Sequence, residues 1–226
     1  LLARREGGSS RPSRTAGAVT SFDVSGAYRE GVVRHFTGAP DVDLSVTGLG
    51  RVTQSVWQAM QDRVHCRLRI SAIESRHQNE PGPAVLRSLQ EEVVRGRFCG
   101  GAVFGDDGRQ LWLIDRRDGL LSDRRIAEML SRELLRESGA RELRLVAPED
   151  LMWTSLNVSG TRLFTCGTTE EEIVAAMRGH QAVIGCDGAG RFWIARPAVH
   201  CDAMVTLAYL ARGLSDDARS GARFAA

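Results

Sequence analysis

Helical and strand periodicities alternate along this chain, and together they predict an α/β (α+β) protein with a mixed or antiparallel sheet and packed helices. Three observations carry that expectation. An apolar stripe at helical spacing runs through 50–64, strict alternation follows in 66–72, and a helix–β-hairpin–helix pattern occurs twice in the remainder.

Residues 1–20 are rich in Arg, Ser and Gly, with one acid, Glu6, and no apolar face, so they read as a flexible arm. The same basic, Ser-rich character is similar to the end of an organellar transit peptide, which makes organellar import the alternative to a cytoplasmic setting. Residues 21–83 read as a small N-terminal α/β unit. Val32, Val33 and Phe36 suggest short structure interrupted by Gly26 and Gly31. Val52, Val56, Trp57, Met60 and Val64 share one helical face, and Cys66, Leu68, Ile70 and Ala72 then alternate with Arg67, Arg69 and Ser71. Pro83 suits the first position of the next helix.

Residues 84–165 and 166–226 read as two copies of one unit. Glu91-Glu92-Val93-Val94 recurs as Glu171-Glu172-Ile173-Val174, and Ala102-Val103-Phe104-Gly105 as Ala182-Val183-Ile184-Gly185. Asp107-Gly108 and Asp187-Gly188 keep that offset, and Arg109 precedes Trp112 much as Arg191 precedes Trp193. In each copy a helix ending near Gly96 or Gly179 leads into a strand, an Asp-Gly turn and a second strand. Thr168 and Glu171 have capping-box spacing. Closing helices follow, one with Ile126, Leu130 and Leu134 between Ser122 and Gly139, the other with Ala203, Leu207, Leu210 and Leu214. Between the copies, 143–146 and 161–165 read as strands.

Composition narrows the classes of function. All 30 basic residues are arginine, set against 28 acids, for a net charge of +2. The charges are interspersed, which argues against a nucleic-acid binder. No apolar run has the length of a membrane span. Five cysteines without a CxxC pair predict free thiols in a reducing, intracellular compartment, with neither a disulfide framework nor a zinc site.

The candidates for chemistry are few. Cys99, beside Gly100 and Gly101, is the nucleophile candidate, and His200-Cys201-Asp202 could supply a second thiol, a base and its orienting carboxylate. The 106–108 and 187–190 turns could hold a cation or phosphate, but turn chemistry accounts for them fully. Trp112 and Trp193, at matching strand positions, are candidates for a paired aromatic surface. No GxSxG, HExxH or GxGxxG is present. No cofactor and no metal are expected. Duplication without duplicated catalytic residues predicts a non-enzymatic binding or scaffold protein whose partner is another protein or a second copy. The alternatives are a thiol-dependent hydrolase or transferase using Cys99 or Cys201 with a histidine, and an arginine-mediated nucleic-acid or phosphate binder.

Overall fold

The computed structural model describes residues 23–38, 41–73, 80–116, 119–196 and 198–220, with side chains to 214. The expected arm at 1–20 lies outside the described residues. Helix α1 (Ser25–Phe36) precedes strand β1 (Val42–Thr47), helix α2 (Arg51–Met60) and strand β2 (Cys66–Ile70). Helix α3 (Pro83–Gly96), strands β3 (Gly100–Phe104), β4 (Leu111–Asp115) and β5 (Gly119–Leu120), and helix α4 (Asp123–Ser138) follow. The chain then forms β6 (Leu143–Pro148), β7 (Thr161–Cys166), α5 (Glu170–His180), β8 (Ile184–Cys186), β9 (Phe192–Ala195), β10 (Val199–Cys201) and α6 (Ala203–Ser220).

Two five-stranded mixed sheets result, ordered β2-β1-β3-β4-β5 and β7-β6-β8-β9-β10. In each, the first three strands are parallel and the last two antiparallel. Strand β1, which the alternation 42–47 encodes but the sequence reading passed over, lies between β2 and β3, so the first sheet runs across residue 83. Helix α1 is continuous through Gly26 and Gly31, because neither faces a neighbour and the buried stripe is carried by Val32 and Phe36.

The helix–hairpin–helix duplication is present, with a different register from the one the sequence blocks suggest. A Cβ at Gly101 would meet Val93 and Leu89 of α3, and one at Gly185 would meet Met177 and Ile173 of α5, so these two glycines are equivalent. Gly101 pairs with Ile114 and Gly185 with Trp193. Trp112 therefore sits two residues nearer its turn than Trp193 does, although both face the outer helix of their sheet. The cause is hairpin length: aligning the two Asp-Gly turns misaligns strands that differ in length. The caps shift too. Thr169 and Glu172 form the capping box, one residue beyond the expected pair, and the left-handed residues ending α3 and α5 are Arg97 and Gln181, not the glycines before them. Ser122 and Gly139 cap α4 as read from the sequence.

A single core joins the two halves. Leu44, Val46, Phe104, Leu111 and Leu113 from the first sheet, and Leu145, Ile184, Phe192 and Ile194 from the second, share it with α4 and α6. The outer faces are closed separately, by α3 over Val103, Trp112 and Ile114 and by α5 over Val146 and Trp193. Among the described residues no helix is long and apolar enough to cross a membrane.

Leu130 and Leu207 are wholly buried where α4 and α6 meet the sheets. Leu130→Asp and Leu207→Asp should each cost roughly 4 kcal/mol or more, by loss of packing and burial of a carboxylate. Arg132 donates to the Asn157 carbonyl at 3.2 Å from a partly exposed side chain, and Arg132→Ala should cost about 1 kcal/mol or less. Urea midpoints check both, and equal midpoints for the three variants would contradict the packing.

Candidate functional site

In open α/β sheets the crevice beyond the carboxyl ends of the parallel strands is where ligands are held. Here the carboxyl ends of β1 and β3, and of β6 and β8, open onto loops that touch one another. After β1 the chain turns through Gly48 and Gly50 into α2. Gly48 has φ +77°, and a Cβ there would lie 2.1 Å from the Phe104 carbonyl oxygen, so only glycine lets this loop close against β3. Gly50 is the N-cap of α2, which has no side-chain cap and no acid in its first turn. The first N–H groups of α2 thus present uncompensated positive dipole. Thr53 and Gly50 border the next turn: a Cβ on Gly108 would be 3.5 Å from Thr53 Oγ1, and one on Gly50 would be 3.6 Å from the Asp106 carbonyl.

That next turn, between β3 and β4, is held by Gly105 N–H to Gln110 O and by Arg109 N–H to Asp107 Oδ1. The equivalent turn between β8 and β9 is built around Asp187, whose Oδ1 accepts from Ala189 N–H (2.8 Å) and Arg191 N–H (3.1 Å). The two turns meet. Leu111 N–H donates to Gly190 O at 2.8 Å, Gln110 Nε2 to Ala189 O at 3.1 Å, and Gly190 N–H to Asp123 Oδ2 at 2.9 Å. Gly190 itself has φ +81°, and a Cβ there would press to 2.9 Å from the Trp112 indole. Leu151 packs on Gly188 from the segment after β6, so one continuous rim spans both sheets.

Charge is concentrated along this rim. Arg109 pairs with Glu170, and Ala203 N–H donates to Gly108 O. Arg191 lies between the turns, 3.7 Å from Asp107 and 3.6 Å from Asp187, both beyond hydrogen-bond range, and its buried Nε has no partner among the described residues. Burial pushes the Asp123 carboxyl above the ordinary carboxylate range, against the lowering effect of its bond from Gly190. Among the described residues no group of three or more His, Cys, Asp or Glu side chains converges as metal ligands.

The residues singled out from sequence are placed differently. Cys99 precedes β3 at the amino end of the first sheet, where its N–H bonds to Asp43 O and its side chain packs on the core. His200 and Cys201 lie on β10 of the second sheet, so Cys99 and His200 belong to different sheets. Asp202 does not orient His200: its Oδ1 caps α6 through Met204 and Val205 N–H, and its Oδ2 accepts from Tyr28. His200 Nδ1 contacts the Ala198 carbonyl instead. Burial pushes the Cys201 thiol up to about 12, and its Sγ sits 3.5 Å from the Arg109 carbonyl. Trp112 and Trp193 are both buried and form no exposed aromatic surface. The loop 47–53, Arg191 and Asp123 were not picked out in advance. The signal was there in Gly48-Leu49-Gly50, bounded by an alternating strand and an amphipathic helix, without the third glycine of the dinucleotide fingerprint.

No family model and no curated protein sequence matches this chain. Solved structures do share its fold. A phosphoglucomutase/phosphomannomutase family protein from Burkholderia thailandensis superposes with a TM-score of 0.71 over 86% of this chain and 44% of its own, at 16% identity. Parafusin, an exocytosis-sensitive phosphoprotein and phosphoglucomutase from Paramecium, here in its open form, gives 0.58 over 86% and 37%, at 10% identity. The chain thus spans less than half the length of either. This likeness corrects the expectation of a non-enzymatic scaffold or protein-interaction module, because the fold is one shared with phosphoglucomutase and phosphomannomutase structures over most of this chain. Cys99 and His200 lie in different sheets and Asp202 is engaged as the α6 cap, so the structure does not bring together Cys99, His200 and Asp202 as a thiol-dependent hydrolase would require.

Gly48→Ala should destabilise the fold by about 3 kcal/mol or more, since the left-handed backbone and the Phe104 carbonyl both oppose a Cβ. A thermal melt within a degree of the parent would contradict the close approach. For the thiols, Cys66 and Cys201 are both pushed up to about 12 by burial, so iodoacetamide should label them slowly in the folded protein even at about pH 9. Rapid labelling of Cys201 without unfolding would show an accessible thiolate.

Proposed function

We propose that this chain is a phosphotransferase-like protein of the hexose-phosphate mutase type, whose rim of loops at the strand carboxyl ends receives a phosphorylated sugar. The observation that carries this reading is the shared architecture with mutases over 86% of the chain. The chemistry of the rim supports it. Phosphoryl transfer requires mainly positioning and stabilisation of negative charge, which backbone N–H groups and guanidinium groups supply. The uncapped start of α2 offers the first, in the manner of other helix N-termini that hold phosphate. Arg191 offers the second, because its guanidinium N–H groups are close to two carboxylates without hydrogen-bonding to either. In this reading Asp123 and Gln110 hold the second turn at a fixed distance from α2, and Gly48 keeps the first loop low enough for a ligand to approach the helix start. Five free cysteines favour a reducing, intracellular setting.

The test is calorimetric titration of the full chain with glucose 1-phosphate, mannose 1-phosphate, glucose and inorganic phosphate. Binding of a hexose phosphate is expected in roughly the millimolar range or tighter, with glucose bound far more weakly. Arg191→Ala should weaken hexose phosphate by about tenfold or more, through loss of a charge-assisted contact. No hexose-phosphate binding at concentrations about tenfold above that range, by a protein with native circular dichroism, would overturn the proposal.

A further inference from the structure

Helix α1 crosses from the first half of the molecule onto the second, and its contact there is built from titratable groups. Tyr28, Val32, His35 and Phe36 form one face of the helix, at the spacing of successive turns. Val32 and Phe36 are buried, and Phe36 meets Trp57 of α2 edge-on at 5.8 Å. Tyr28 donates to Asp202 Oδ2 at 2.7 Å, tying α1 to the carboxylate that caps α6. Two turns further along that face, the centroid of the His35 ring lies 5.3 Å from that of Tyr209 on α6 and 6.4 Å from that of His200 on β10. The His35 carbonyl accepts from the Arg212 guanidinium.

We propose that His35, set against the rings of His200 and Tyr209, forms a proton-sensitive clasp that fastens α1 of the first sheet's half to the β10–α6 corner of the second, closed when the His35 imidazole is neutral and released when it is protonated. The surrounding charges are balanced in the neutral state. On the side of α6 and β10 stand Arg212, Tyr209 and Asp202; α4 contributes Glu137; the segment after β9 contributes Arg196; and α1 contributes Tyr28. Glu137 is shared by Arg196 at 3.3 Å and Arg212 at 3.5 Å, and Asp202 is occupied by Tyr28 and the helix cap. Toward α2, Glu30 of α1 is already paired with Arg63. Among the described residues Glu137 and Asp202 thus stand with Arg196 and Arg212, and protonating His35 adds a positive charge to a corner already held by the Arg212 guanidinium.

The direction of the pH effect follows. Burial, and then His200, hold the His35 pKa below its ordinary value of 6.5, with Glu137 and Asp202 opposing. A docked His35 therefore binds fewer protons than a released one. Docking is complete above the released value and declines as the pH falls below it.

Hydrogen exchange of the full chain at about pH 7.5 and about pH 5.5, corrected for intrinsic exchange, tests the clasp. Peptides covering 25–36 should lose protection on the order of tenfold at the lower pH, while α4 keeps its own. His200→Gln should reduce that loss, and His35→Gln with His200→Gln should abolish it. If the double variant is already unprotected at the higher pH, the single His200→Gln variant decides by the size of its acid loss. Equal protection of α1 at both pH values, a loss spread equally through α4, or an acid loss unchanged in His200→Gln would each overturn the proposal.

Discussion

The packing of α4 against α6 is the contact on which the remaining structure depends. Helix α4 lies against β6 and β8 of the second sheet, α6 lies against β1 and β4 of the first and β9 of the second, and the pair together fill the space between the sheets. The duplicated units consequently share a core and do not behave as beads on a string, even though each outer face has its own small cluster under α3 or α5. Every position of β3 and β4 is buried, which explains why, apart from Asp115, they carry no polar side chain and do not alternate.

With the inner faces fixed back to back, the carboxyl ends of the two parallel strand sets are brought side by side, and their turns become neighbours. The candidate site follows from this arrangement. Its groups come from four connections: the β1–α2 loop, the two hairpin turns and the start of α4. None is near another in sequence, but all converge once the sheets share α4 and α6. The carboxylates of the rim are mostly engaged in holding the turns, Asp187 with Ala189 and Arg191, Asp107 with Arg109, and Asp123 with Gly190. The Arg191 guanidinium lies between them and makes no hydrogen bond among the described residues.

Much of this fold was legible in the sequence, where local pattern and tertiary structure agree. Ser122, Gly139, the stripe of Leu130 and Leu134, and the alternation in 143–146 each encode their own element. The duplication was legible for the same reason, through the paired Asp-Gly turns. Its register was not, because strand length is set by pairing across the sheet and leaves no mark at the turn. Strand β1 was passed over although Val42, Leu44 and Val46 alternate with Asp43, Ser45 and Thr47. Ser45 is nevertheless fully buried and satisfied by Glu92 of α3, a partner 47 residues away that no local window contains. The site failed to register for a related reason. Cysteine beside glycine attracts attention as a possible nucleophile, whereas a loop such as Gly48-Leu49-Gly50 gains its significance only from the Phe104 carbonyl lying against it.

The engagement of the hairpin tips also constrains how such a chain can change length. An exposed tip is ordinarily the place where a protein accommodates added or deleted residues. Here the tips at 105–110 and 187–191 bond to each other and to Asp123, Ala203 and Leu111, so a residue gained or lost at either would separate them. Length variation between the two halves is found in the crossovers as well as in the lengths of the hairpins. Where the first sheet has the ten-residue helix α2 after β1, the second has, after β6, a single 3-10 turn at Glu149–Leu151 and irregular chain leading to β7. The crossover touches the seam through Leu151, and relatives of this protein should vary most in the segment between β6 and β7.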